Sequence, residues 1–208
     1  MESNYAGIVR NNIEALYRRL PADLAQRTGA KKDAGGKVFT LDAFGKSCRI
    51  SAGGIFLDDE PQTDVLGILI SLYALNAIPE EMVIEPWKAF KAFPDVMPYV
   101  GAFTSHTEQI LIAYEDKIKK NRTGIVSTLN GDPDHGSDGG DYSFMVRPLP
   151  KIALCYIVYE ADEDFPASVT CLYSSNANHF LPNDALADVG EYTSKRILEL
   201  LRVRATIN

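Results

Sequence analysis

The chain has 208 residues, 46% of them hydrophobic and 24% charged, with a formal net charge of −7. That length holds one sizeable core or two small domains, and the composition is that of an ordinary soluble globular protein. The acidic balance excludes a general binder of DNA or RNA backbones, which needs a basic field.

Tyr5, Val9, Ile13, Leu16 and Leu20 recur at helical spacing over 5–20. Pro21 interrupts that stripe, and 21–28 reads as a second short helix closed by Gly29. A polar loop at 31–36 precedes three short strands, at 38–41, 48–51 and 55–57. After an acidic loop at 58–62, Thr63 or Asp64 caps a helix running to Ala77. Val65, Leu66, Ile68, Leu69, Ile70, Leu72, Tyr73 and Leu75 cover nearly its whole circumference. A helix apolar all round is a buried one, so 64–77 is expected under a sheet or between other helices. Its apolar run of about 14 residues is too short to span a bilayer, so no membrane association is expected.

The segment 85–99 carries the sole tryptophan, several aromatics and three prolines, and reads as a short helix with an extended stretch across the core. Ser105 and Glu108 form a capping box that opens a helix to about Lys120, with Ile110, Leu111, Tyr114 and Ile118 inward. A small helical or extended piece at 124–129 leads into a turn-rich loop at 130–141. Two runs rich in β-branched and aromatic residues, 152–160 and 167–173, flank a short acidic tip at 161–166. Strands so close leave no room for a crossover helix, so they form an antiparallel hairpin. Pro148 and Pro150 offer no amide to a ladder, which starts the first strand after them. Asn183 or Asp184 caps a last helix whose stripe is Leu186, Val189, Ile197, Leu200 and Leu201. The basic runs 117–122 and 195–204 fall toward helix C-termini, where they complement the dipole. With no internal repeat or linker, the expectation is a single α+β domain over 1–208. Its sheet is mostly antiparallel and centred on the 152–173 hairpin, with helices packed on it, that of 64–77 buried.

Residues 1–10 are polar with no apolar core behind them, so no signal peptide is expected. Cys48, Cys155 and Cys171 are odd in number and lack CxxC spacing, which fits a reducing, cytoplasmic setting. Cys155 and Cys171 face each other if the hairpin turns near Glu163, and read as small core residues.

Among residues able to carry chemistry, the loop 132–141 (DPDHGSDGGD) stands out. Asp132, Asp134, Asp138 and Asp141, with His135 among them, can surround a hard divalent cation, calcium or magnesium, while the glycines allow sharp turns. The spacing departs from an EF-hand, since Gly136 holds the fifth position and Ser143 replaces the closing glutamate. The plainer reading is that Asp and Gly make turns. Glu160, Asp162, Glu163 and Asp164 cluster at the hairpin tip, a solvated turn or a contact for a basic partner. His106, His135 and His179 share no metal-ligand spacing. No nucleophile has a base beside it in sequence, and no P-loop, G-x-G-x-x-G or G-x-S-x-G occurs.

Two stretches, 87–107 (WKAFKAFPDVMPYVGAFTSHT) and 139–182, hold an ordered set of short motifs: W-x-x-F-x-x-x-P, then G-G-D, L-P-x-I, and an acidic tip closing on F-P-A. In this order the chain resembles the family catalogued as domain of unknown function 3786, known mainly from anaerobic bacteria and archaea. The motif residues are Trp87, Pro94, Tyr99, Asp141, Pro150, Asp162 and Phe165, and the resemblance attaches no catalytic role to them. It implies a setting in anaerobic, corrinoid or one-carbon metabolism. The cysteine-rich, iron–sulfur kind of segment carried by some relatives is absent from this sequence.

The expected function is a non-catalytic accessory module that binds a protein partner or a small ligand, with no nucleic acid and no cofactor other than the calcium or magnesium considered for 132–141. Trp87, Tyr99 and Phe103 line a groove in this view, and Asp162 and Asp164 offer a charged contact. The alternative is a metal-assisted hydrolase using the loop 132–141. Association with a second copy of the chain stays open.

Overall fold

Burial alternates along Phe39–Ala43, with Phe39, Leu41 and Ala43 inside and Thr40 and Asp42 outside. Period two is the mark of a half-buried strand. In the computed structural model, which describes residues 4–132 and 139–205, this strand is β2 of an antiparallel meander. β1 (Lys31–Lys32) precedes it, and β3 (Lys46–Ser51), β4 (Gly54–Leu57) and β5 (Glu60–Pro61) follow in sequence order across the sheet. A two-residue turn, Phe44 and Gly45 at φ 53° and 71°, joins β2 to β3. Left-handed geometry at both positions matches the twist of the flanking strands. The short strands expected at 38–41, 48–51 and 55–57 are therefore present, as members of a sheet of their own.

The second sheet contains β6 (Lys88–Ala89), β7 (Tyr142–Leu149), β8 (Ile152–Tyr159) and β9 (Ser168–Tyr173), in the antiparallel order β6-β9-β8-β7. The expected hairpin, β8 with β9, stands at its centre. All but the last residue of β8 is buried. On one face the strand meets α7 (Asn183–Ala205), where the Tyr156 hydroxyl bonds Ser194 Oγ at 2.9 Å. On the other, Gly139 and Gly140 lie against Ile157. The register corrects one expectation. Tyr156 pairs with Cys171 and Cys155 with Leu172, so the two cysteines project from opposite faces of the sheet.

β8 starts at Ile152, after Pro148 and Pro150 as expected, while the chain before it forms a strand that was not expected, β7, which runs through Pro148. The ladder steps from Val146↔Leu154 to Leu149↔Ile152, leaving Arg147 and Pro148 opposite Ala153 alone. This is a β-bulge on an edge strand, a place where a proline costs no ladder hydrogen bond.

Helices close the core. α1 (Asn4–Arg18) buries Val9, Ile13 and Leu16, but Tyr5 is half exposed, so the apolar stripe starts one turn later than its spacing suggests. α2 (Leu24–Thr28) stops at Gly29, left-handed at φ 68° as a helix-ending glycine should be. The Asp64 carboxylate accepts from Leu66 N and Gly67 N to cap α3 (Val65–Asn76). No residue from 65 to 75 is exposed: α1 reaches α3 through Asn12 Nδ2, which donates to Ser71 Oγ, and Tyr73 hydroxyl donates to Thr28 O of α2. The buried helix is thus found where the sequence puts it.

The capping box at Ser105 is not used. The chain is already helical from α4 (Val100–Phe103), and Ser105 lies inside a π turn, Thr104–Gln109, that continues into α5 (Ile110–Ile112). A break at Tyr114 then precedes α6 (Glu115–Thr128). Glu108 instead reaches the sheet, its Oε1 accepting from Cys171 N at 3.0 Å. The reason lies in β6, which pairs only with Tyr173 and Leu172 and leaves the rest of that β9 edge to a side-chain acceptor.

Candidate functional site

The two sheets approach each other where β1 leaves β2. β1 pairs with Phe39 and Thr40 only, because its chain turns away into Gly29 and α2. Residues 41–43 therefore have no strand on that side. Three backbone and side-chain bonds bring other elements to this open edge. Phe44 N donates to Pro148 O at 2.7 Å, tying the β2–β3 turn to the bulge. Arg147 N donates to Leu129 O at 2.8 Å, tying the bulge to the end of α6. Arg196 Nε on α7 donates to Phe44 O at 3.3 Å. Glycine is required at two of these approaches: a Cβ at Gly45 would lie 2.5 Å from Thr128 O, and one at Gly29 would lie 2.8 Å from Pro150 Cβ.

Between these elements lies a cleft of about 490 Å³, lined by Gly29, Lys31, Thr40, Leu41, Asp42, Ser47, Asn130, Arg147 and Pro150. Its wall is polar and apolar in nearly equal measure, and it carries two cations against one carboxylate. Arg147 comes from the bulge, and re-aiming a side chain is what a bulge does. Its Nε is buried and has no hydrogen-bond partner.

Three other buried side-chain atoms among the described residues share that condition: Trp87 Nε1, Thr107 Oγ1 and Glu115 Oε2. The first two are neutral. Burial, and then the nearby Asp116 and Glu160 charges, raise the Glu115 carboxyl above its ordinary value, so that group can take up a proton. A guanidinium has no such relief, since it stays charged at any pH a protein meets. An N–H of a cation that is closed off from water and has no acceptor is the costliest of the four. Arg147 is therefore the one whose retention asks for a reason beyond the fold.

Neither Cys48, paired with Leu41 beside the cleft, nor Cys171, on β9 of the other sheet, supplies a thiolate. Burial, and then the Asp42 charge, push the Cys48 thiol up to about 12. Burial first, with Glu108 next, raises the Cys171 thiol well above its ordinary value. Both stay protonated at neutral pH, which removes the nucleophilic form.

The residues singled out from sequence are dispersed. Asp134, His135 and Asp138 lie outside the described residues. Asp132 pairs through its backbone with Met145, at 3.1 and 3.2 Å. Asp141 sits at the other end of β7, its Oδ2 accepting from Glu160 N at 2.7 Å. Three strand residues separate these two positions, roughly 13 Å along β7. Among the described residues, no group of three or more His, Cys, Asp or Glu could hold a metal ion.

Asp162 shapes the hairpin tip, its Oδ1 accepting from Asp164 N and Phe165 N. Asp164 is exposed beside it, and the Phe165 ring is 71% exposed. The aromatic residues do not form one groove. Phe103 is buried, its ring 4.5 Å from that of Phe90 and 5.9 Å from that of Tyr173. Tyr99 and Phe103 border a 270 Å³ cavity beside Asp184, Asp188 and Glu191, and Trp87 is not among its lining residues. His106 Nδ1 pairs with Glu191 and His179 Nδ1 with Glu80, both near the surface.

Cleft residues other than Pro150 were missed because four strands and two connections supply them, and no local spacing joins Lys31, Asp42, Asn130 and Arg147. One signal was available. Arg147 interrupts an apolar run and is followed at once by proline, a pattern that marks a bulge rather than an end.

Fold and cleft together define an α+β protein with two antiparallel sheets, a buried helix and a polar cleft where the sheets meet. The model of the family described as Domain of unknown function (DUF3786) matches residues 21–196, and the chain belongs to that family. The matched span contains every residue of the cleft. No curated protein and no solved structure matches the chain. No described helix is long and apolar enough to cross a membrane.

Proposed function

We propose that the chain is a non-catalytic module that binds a small ligand in the cleft between its two sheets. The observation that carries this reading is the cleft wall, where Arg147 and Asp42 bring opposite charges that belong to no ion pair among the described residues. Charged groups held apart in this way are ready for a ligand of complementary charge, as pre-organised binding groups are. Protonated thiols and histidines tied to separate glutamates are consistent with binding in place of turnover.

The test is a melting-temperature survey of small metabolites against the native chain and Arg147→Met, with each ligand recovered and its mass measured. A ligand at a hundredfold excess over its Kd adds about 2.7 kcal/mol to the folded state. The reading expects at least one compound that raises the melting temperature of the native chain, leaves that of Arg147→Met unmoved, and is recovered intact. A compound converted to product, or one that acts equally on both proteins, contradicts it. The hydrolase alternative draws on Asp134, His135 and Asp138, outside the described residues, and calcium and magnesium belong in the same survey for that reason.

A further inference from the structure

We infer that the ligand of this cleft is a small amino carboxylate, its carboxylate held by the Arg147 guanidinium and its ammonium group facing Asp42. The inference rests on the cleft being the binding site. The N–H groups of a guanidinium form planar forks spaced for two oxygens of one group. Arg147 lines the cleft, and a carboxylate meets such a fork with both oxygens.

Asp42 supplies the complementary charge. It lies two residues from Phe44, whose amide is bonded to Pro148, the neighbour of Arg147. This sets Asp42 roughly 7 Å along β2 from the point where the two walls are tied. Among the described residues neither Asp42 nor the Arg147 guanidinium belongs to an ion pair, so two opposite charges line one cleft without meeting each other. A zwitterion with its charges a few bonds apart satisfies both at once. Inorganic phosphate fits less well: Lys31 and Arg147 attract it, but its second negative charge meets Asp42. The volume of about 490 Å³ leaves space for a body beyond the two charged groups, with Leu41 and Pro150 as apolar wall.

The experiment is titration calorimetry on the full chain with three probe sets. They are the common amino acids, the same compounds lacking the amino group, and inorganic phosphate. At least one amino acid is expected to bind tenfold or more tightly than its des-amino counterpart. Arg147→Lys, which keeps the charge and loses the fork, is expected to weaken it at least tenfold. Asp42→Asn, at an exposed strand position, is expected to bring the amino acid and its des-amino counterpart within about threefold of each other. Far-ultraviolet circular dichroism and the melting temperature confirm that each variant is folded. If phosphate or the des-amino acids bind as tightly, and Arg147→Lys weakens them, the zwitterion is wrong while the cleft stands. Amino-acid binding that survives unchanged in Arg147→Lys and Arg147→Met removes both the inference and the proposed site. No binding by any probe overturns the inference.

Discussion

Around β8 and α3 each tyrosine hydroxyl that the fold buries finds a partner: Tyr156 with Ser194, Tyr173 with Leu186 O, and Tyr73 with Thr28 O. On the cleft wall the Arg147 Nε finds none. The contrast is one of kind as well as number, because a phenol can be buried at little net cost once bonded, whereas an unpaired guanidinium cannot. The core is arranged for stability. The cleft wall accepts a loss of stability at one residue, which is how a group kept for binding behaves.

The largest effect that can break this comparison is at Tyr156. Tyr156→Ala removes a fully buried ring stacked on Phe144 at 5.4 Å, and is expected to cost roughly 3–5 kcal/mol in urea unfolding. A loss under 1 kcal/mol would mean that the centre of the second sheet is not the core. Next comes Ser194→Ala. It strips the Tyr156 hydroxyl of its partner and Thr107 O of a donor, for an expected loss of about 1–3 kcal/mol. Equality with the native chain would show that a bonded polar group in this core is no different from the unbonded one in the cleft.

A smaller effect depends on pH. Burial raises the Glu108 carboxyl above its ordinary value, against the hydrogen bond from Cys171. The folded chain then holds that proton to a higher pH than the unfolded one. Glu108 therefore subtracts stability as pH rises from the ordinary carboxylate value through the folded one, and the loss persists at neutrality. Gln keeps an oxygen for Cys171 N, so Glu108→Gln is expected to be the more stable protein at pH 7. The gap should close below about pH 4, where the carboxyl is protonated in both states. A native chain more stable than the variant at pH 7 would reverse that sign.

Local rules read from sequence were kept wherever one element decides the outcome. Gly29 ends α2, Asp64 caps α3, and the apolar run of β8 lies at the sheet centre. They were lost wherever a neighbour in space decides. Ser105 and Glu108 have capping-box spacing, yet the helix had already begun and Glu108 was drawn to a free amide of β9. Pro148 reads as a strand breaker, yet the bulge absorbs it. The cleft was illegible for the same reason. Asp42 and Arg147 are far apart in the chain and are brought to one cleft by the bond from Phe44 N to Pro148 O, a contact that leaves no trace in spacing.

The central claim is that Arg147 is present for binding and not for the fold, and urea unfolding of Arg147→Met tests it most directly. Methionine keeps an apolar stem and removes the unbonded Nε donor, so the variant is expected to match the native chain or exceed it by up to about 1 kcal/mol. A loss of about 2 kcal/mol or more would place Arg147 among the residues that hold the two sheets together, and would contradict its role as a binding group of the cleft.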